Sequence, residues 1–436
     1  MSRFADANAA AGRTRLPLGH TGGTFPAPPK GAWIISVRND MRDAVIVDAV
    51  RTPVGKGKPG GALSTVHPVD LSAHVLKALA QRNNLDPAVV DDVVWGCVSQ
   101  VGEQAACIGR YSVLAAGFPE SVPGLTIDRQ CGSSQQAVHQ VAAGVIAGQY
   151  DVAIAGGVEV MSRVPMGAAR SGGTFGEPYG PLVAQRYDNY AALGGHGFNQ
   201  GLGAEMIAAE FGFTREELDQ HAADSHARAA AATDEGRFKD QLAPVEVTDA
   251  DGNTRLFDTD EGIRRGTTVE SLSGLKPAFR EDGVIHAGNS SQISDGSAAL
   301  LITTSEVAAK MGWTPIARFH TGTVVGVDPV TMLKGPMPAT DRVLQRAGLS
   351  LSDIGAFEIN EAFASVSMAW LKHTGADYDK LNPNGGAIAL GHPLGGSGAR
   401  LMTTLVHHMK DNGIKYGLQS MCEGGGMANG TILELL

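Results

Sequence analysis

From Ala44 onward, short β-branched or apolar runs alternate with longer segments whose apolar residues recur every three or four positions. This alternation constrains the fold more than any other feature of the chain. Ala44 to Val50 and Val93 to Val98 read as strands, and His67 to Arg82, with Leu71, Val75 and Leu79 in register, reads as a helix. Glu103 to Ala116 and Gly132 to Ala147 read as helices, and Asp151 to Ala155 as a strand ending at Gly156 and Gly157. After Ser305 the rhythm returns through Pro315 to Val325, Pro338 to Ala347, Ile354 to Ile359, Glu361 to His373, Gly395 to Met409, Tyr416 to Met421 and Ala428 to Leu435. Such alternation predicts an α/β protein.

Three features subdivide the chain. Residues 1 to 40 carry Pro26, Pro28 and Pro29, paired Gly22 and Gly23, and no sustained period, so they read as a flexible leader or an upstream start ahead of Met41, with an organelle-targeting peptide ranked below because the prolines break any amphipathic helix. Between residues 161 and 280 the alternation gives way to a Gly- and Asn-containing stretch, an Ala-rich helix (Thr214 to Ala232) and a turn-rich passage, which together read as a loop domain inserted in the first half. Finally, Cys131 and His392 each precede small residues, a helix and a strand ending in glycines, a weak internal echo that suggests two copies of one unit.

Composition excludes several functions. With 35 basic against 45 acidic side chains the formal charge is −10, so a nucleic-acid coat lacks its positive field and any anion site has to be local. The most apolar stretch, Val141 to Met161, contains Asp151 and Glu159 and would bury charge in a bilayer, so a soluble, cytoplasmic protein without a membrane span is expected. Cys97, Cys107, Cys131 and Cys422 are too scattered for a disulfide framework or a zinc site, and free thiols are expected.

Four short elements carry chemistry. Cys131 opens a helix and is followed by Gly132, Ser133 and Ser134. A thiol there faces unpaired backbone N–H groups and the positive helix end, which predicts a thiolate-leaning cysteine. A shift from the ordinary ~8.5 to about 7 would raise the thiolate fraction at neutral pH from about 3% to half. His392 lies between Gly391 and Pro393 ahead of Gly395, Gly396, Ser397 and Gly398, which fixes its backbone and leaves the ring for base or donor work. Cys422 precedes Gly424, Gly425 and Gly426, whose amides can form an anion nest beside a second thiol. Asn360, in Glu358-Ile-Asn-Glu-Ala-Phe363, suits either a helix cap or a side-chain amide holding a water or carbonyl oxygen.

In this order the four elements resemble the thiolase family, specifically the 3-ketoacyl-CoA thiolases (acetyl-CoA acyltransferases), over about Met41 to Leu436. The resemblance implies a five-layered α/β/α/β/α fold of two similar halves, and assembly as homodimers or homotetramers. It implies acyl-CoA and coenzyme A as substrates, with no separate cofactor and no metal. Carried over, Cys131 matches the acylated nucleophile, His392 the histidine that activates it, and Cys422 the acid/base cysteine. Asn360 matches the residue holding a water in one oxyanion hole, and the N–H groups of Cys131 and Gly424 match the other. Arg264, Phe279, Ser291, Ala362 and Phe363 fall where coenzyme A is gripped, and a local cation such as Arg264 suits a phosphorylated ligand on an acidic protein. His139, His196, His320 and Arg265 read as packing or surface residues.

The chain departs from the family at Asp128, where Asn is common, and at Gly132, where Ser or Ala is common. It also has Gly201-Leu202-Gly203 aligned with the His-Met-Gly of short-chain members, which predicts a wider acyl pocket. The expected reaction is thiolytic cleavage of 3-ketoacyl-CoA in β-oxidation or related degradation. A biosynthetic acetoacetyl-CoA thiolase, a decarboxylating ketoacyl synthase and a non-catalytic acyl-CoA or lipid carrier are the alternatives. Asn360 stands where a synthase has a second histidine, and the intact Cys131, His392 and Cys422 weigh against a carrier.

Overall fold

The computed structural model describes residues 42–174, 176, 178–187, 198–249 and 252–436, which belong to one compact unit. The leader and His196 lie outside the described residues. In chain order the first half holds β1 (Val45–Arg51), β2 (Gly55–Lys56), α1 (Pro68–Arg82), β3 (Asp92–Gly96), α2 (Ile108–Ala115), β4 (Leu125–Ile127), α3 (Ser133–Ala147) and β5 (Val152–Val160). Next come α4 (Pro181–Arg186), α5 (Gln200–Phe211), α6 (Arg215–Asp234), the hairpin β6 (Val245–Thr248) and β7 (Thr254–Phe257), and α7 (Val269–Ser273). The chain then returns to the sheet as β8 (Ser294–Thr303).

The rest comprises α8 (Ser305–Met311), β9 (Ala317–Gly326), α9 (Pro336–Ala347), β10 (Ala356–Ile359), α10 (Ala364–Thr374), α11 (Ala387–Leu390), α12 (Leu394–Asn412), β11 (Tyr416–Glu423) and β12 (Met427–Leu435). The strands run in the order β10-β11-β12-β9-β1-β8-β5-β3-β4, with β2 on β8. Each half repeats one pattern. In the first, β3 is parallel to β5, which pairs antiparallel with β8 and so with β1. In the second, β10 is parallel to β11, which pairs antiparallel with β12 and so with β9. Leu381 bridges Phe357 in parallel, where the counterpart of β4 would stand. The two half-sheets are joined by the short antiparallel pairing of β1 with β9.

The two helices that follow Cys131 and His392 form the middle layer. Fifteen of the nineteen residues of α12 are buried, so it has no solvent face and must lie between layers. It packs on β1, β5 and β8 of one half and on β10, β11 and β12 of the other, and against α3. Polar bonds tie α3 across as well: Gln135 Nε2 donates to Thr431 Oγ1 at 2.7 Å, and His139 Nε2 lies 2.6 Å from the same hydroxyl. Helix α1 covers the outer side of the first half, α9 that of the second, and the arrangement is an α/β fold with α3 and α12 between the two half-sheets.

The local reading fails in two places. Glu103 to Ala116 is not one helix: Ala106 and Cys107 take left-handed φ values of 54° and 63°, splitting a short turn from α2. The break lets Gln104 turn inward and donate to Glu159 Oε1 at 2.7 Å. Nor does the strand stop at Gly156 and Gly157. It continues to Val160, because these glycines make room for the Trp95 ring and the Gly395 carbonyl, which a Cβ at either position would strike.

Candidate active site

Two helix starts meet here. Gly398 of α12 abuts the backbone of Gln135 in α3, and Ala399 N donates to Ser134 Oγ at 2.8 Å, so the turns bearing His392 and Cys131 lie side by side. Cys131 sits one residue before the Gly132 cap of α3, on a turn held under tension by Gln130 at φ 49°. Asp128 stabilises that left-handed residue, its Oδ1 accepting from Gln130 N at 2.6 Å.

Cys131 is buried, and its thiol is pushed up to about 12, first by loss of solvent and then by the nearby Glu423. Three donors oppose the rise: the Gln200 side chain and the N–H groups of Cys131 and Gly424. The thiolate-leaning cysteine expected from the helix end is therefore corrected, since desolvation outweighs the dipole. Cys131 is therefore held as a thiol, and to react as a nucleophile it would need a base.

His392 can be that base. Its Nδ1 lies 2.6 Å from Ser397 Oγ, which is also 3.0 Å from the Pro393 carbonyl. A carbonyl can only accept, so the hydroxyl proton goes to Pro393 and Nδ1 carries the ring proton toward Ser397. Nε2 is then the lone-pair nitrogen, and it is buried without a partner. Burial, with Arg400 nearby, lowers the imidazole to about 3 and keeps it neutral. The main chain of His392 is pinned by bonds from its N–H to the Gln292 carbonyl at 3.1 Å and to Ser294 Oγ at 3.2 Å.

Cys422 lies in the buried run of β11 next to Cys131, and its thiol is held well above the ordinary value by burial and then by Cys131 and Glu423. The Asn360 side chain faces it and works in the opposite direction. Asn360 is not a cap, because α10 starts at Ala364 with Phe363 in the cap position. Both polar atoms of its amide are buried without a hydrogen-bond partner, so the side chain is free to hold something in the cleft.

Four of the five residues expected at coenzyme A form one cluster. Ser291 N donates to the Ala362 carbonyl at 2.9 Å, Ser290 bridges Phe363, and the Phe279 ring meets the Phe363 ring edge-on at 5.9 Å. Arg264 stands apart from them on the loop region, exposed, its N–H bonded to His226 Nδ1 at 3.1 Å. Arg265 is paired with Asp234, whereas among the described residues Arg264 has no acidic partner. Gln292 links the two places, donating to the Gly262, Ile388 and Ala389 carbonyls.

Sequence reasoning missed Gln200, Glu423 and Arg400, and misread Gly201 and Gly203. A side chain at Gly201 would collide with the Phe279 ring, and one at Gly203 would meet the Thr331 carbonyl at 2.9 Å. They are close-packing positions, not a gap, so they give no ground for a wider acyl pocket. Among the described residues no group of three or more His, Cys, Asp or Glu side chains is placed to hold a metal ion. No helix among them is long and apolar enough to cross a membrane.

Family models described as thiolase, N-terminal domain, and thiolase, C-terminal domain, match residues 44–306 and 313–435. The chain belongs to the thiolase family and is an acyltransferase. It is 47% identical over 399 residues to the steroid 3-ketoacyl-CoA thiolase FadA6 of Mycobacterium tuberculosis, covering 91% of this chain and 95% of that protein. It is 46% identical over 399 residues to a 3-ketoacyl-CoA thiolase of Erwinia tasmaniensis, covering 90% and 100%. Among solved structures it resembles the acetyl-CoA acetyltransferase of Bacillus anthracis, with TM-score 0.82 and 39% identity, over 91% of this chain and 100% of that one.

Proposed function

We propose that the protein is a 3-ketoacyl-CoA thiolase that passes an acyl group through Cys131 to coenzyme A. The observation that supports this most is two adjacent buried thiols, Cys131 and Cys422, with the unpartnered amide of Asn360 facing Cys422 and the unpartnered Nε2 of His392 on the turn that adjoins that of Cys131. His392 Nε2 takes the Cys131 proton as sulfur attacks the 3-keto carbon, and the oxyanion is met by the N–H groups of Cys131 and Gly424. The carbon–carbon bond breaks, its electron pair passing to the acetyl-CoA enolate, whose oxygen faces His392 and a water on Asn360. Cys422 protonates that carbon. As a thiolate it then takes the proton of a second coenzyme A, whose sulfur collects the acyl group and returns Cys131 to His392 for reprotonation.

Because the resting thiol sits near 12 and the resting imidazole near 3, the first proton moves together with carbon–sulfur bond formation rather than before it. Phe279, Ser291, Ala362 and Phe363 are assigned to the pantetheine end of coenzyme A, and unpaired Arg264 to a phosphate. The degradative direction follows the two relatives named as 3-ketoacyl-CoA thiolases, and the Bacillus anthracis neighbour keeps acetyl-group condensation as the second reading. The proposal includes halves at 41–304 and 305–436 with a loop domain at 161–280, assembly as a dimer or tetramer, and a reducing cytoplasmic setting that suits four free cysteines.

The test uses labelled acyl-CoA and 3-ketoacyl-CoA. Cys131→Ala should lose acyl labelling entirely, whereas Cys422→Ala should still be labelled by a simple thioester while cleavage falls by about 10²–10⁴-fold. Labelling that survives in Cys131→Ala, or normal cleavage in Cys422→Ala, refutes the assignment.

A further inference from the structure

Glu423, the last residue of β11, is wholly buried beside the nucleophile, and neither carboxyl oxygen has a hydrogen-bond partner. Its side chain reaches the first turn of α3: a Cβ added at Gly132 would coincide with Glu423 Oε1 and with Asn429 Oδ1. The glycine that departs from the family's Ser or Ala is thus the space this carboxyl occupies. The groups facing Glu423 are Arg129 and Asp128 from the turn before α3, the Asn429 N–H and side chain from β12, and the two sulfurs of Cys131 and Cys422. Arg129 makes no ion pair with it; its Nη1 lies 3.8 Å from Met427 Sδ, and its Nε is buried without a partner.

A carboxylate buried without donors is strongly disfavoured, while a neutral carboxylic acid brings one donor of its own. An acceptor is at hand, because Asn429 Oδ1 shares the same space and is itself unpartnered. We propose that Glu423 is a positioning residue for the nucleophile turn, a neutral acid that fills the space beside Gly132, donates to Asn429 Oδ1, and holds Cys131 and the Gly424 amide in place. Its ionisation would set a negative charge against both sulfurs. Burial, only partly offset by Arg129 and the Asn429 N–H, pushes this carboxyl up to about 8, so the neutral form holds through neutral pH and is lost above it. That charge is the second of the two causes that raise the Cys131 thiol, so it slows the thiol's reaction as pH climbs.

The proposal rests on Cys131 being the nucleophile. The full chain is treated with iodoacetamide between pH ~6 and ~9.5, and the Cys131 peptide is quantified by mass spectrometry. Glu423→Gln, neutral at every pH and of the same shape, should match the parent within about twofold near pH 6.5 and exceed it by about tenfold at the alkaline end. Glu423→Ala should lower kcat for cleavage by about tenfold at unchanged KM, with Gln restoring most of it. Identical pH profiles for parent and Gln variant, or a Gln variant no better than Ala, overturns the proposal; if Ala does not fold, the pH comparison decides alone. Acyl labelling of a residue other than Cys131 in Cys131→Ser takes down the nucleophile reading and this proposal with it. Labelling on Cys131 in the parent, with unchanged profiles, takes down this proposal alone.

Discussion

Two buried glutamates occupy matching places in the two halves, and the molecule treats them differently. Glu159 lies near the end of β5 and Glu423 at the end of β11, each on the strand that follows its half's central helix. Each reaches across to the start of the other half's helix: Glu159 Oε2 accepts from Gly395 N of α12 at 2.9 Å, and Glu423 lies against Gly132 at α3. Glu159 has three further donors, the N–H groups of Val98 and Ser99 and the Gln104 amide, while Glu423 has no hydrogen bond. One fold position therefore serves as a fully bonded strut beside His392 and, in the role proposed for Glu423, as a neutral acid with a single donated bond beside Cys131. For the proposed base, His392, a rigid support and, for the proposed nucleophile, Cys131, a neutral neighbour are different demands, and the difference in donors meets both.

The largest effect expected from this contrast is on stability. Glu159→Ala strands four donors in the interior and should lower the unfolding free energy by about 3–5 kcal/mol, read from the midpoint of urea denaturation. Glu423→Ala, which removes no hydrogen bond shown in the structure, should lose only about 1–3 kcal/mol through the cavity it leaves. Equal losses would break the comparison.

A smaller effect concerns the glycine. Gly132→Ala places a methyl group on the Glu423 carboxyl and should destabilise by about 1–3 kcal/mol through overpacking. In a Glu423→Ala background the same change should cost less, since only the clash with Asn429 Oδ1 is left, so a double-mutant cycle should show coupling of about 1 kcal/mol or more. Additive losses would mean that the two positions do not share the space.

The internal echo was legible because Cys131 and His392 each precede a run of small residues, and those residues are what let α3 and α12 start against each other. The strand β8 was not legible. Its sequence, Ser294 to Thr303, opens Ser-Asp-Gly-Ser and continues with apolar residues on both faces, every one of them buried, so it offers no alternation to read. Glu423 read as one more polar residue before a glycine turn, because spacing says nothing of which helix start it will meet from 291 positions away. Gln200 lies at the start of α5 in the irregular region, where the period fails, and only the folded chain brings its amide to Cys131. The charge state of Cys131 was misjudged for a related reason: a helix end is visible in sequence, but the burial that outweighs it is a property of the whole fold.

The smallest effect sharpens the histidine side. Ser397 fixes the His392 tautomer by passing its own proton to the Pro393 carbonyl and accepting from Nδ1. Ser397→Ala removes that acceptor but leaves the ring confined by its pinned main chain, so the loss is that of one neutral hydrogen bond, about 1 kcal/mol, or roughly fivefold in kcat. KM should hold, since Ser397 is wholly buried. The rate of Cys131 acylation measured in a single turnover checks this directly. A loss far above tenfold would show that the histidine is held by one hydroxyl rather than by its backbone, and that the rigid support attributed to Glu159 does not reach the ring.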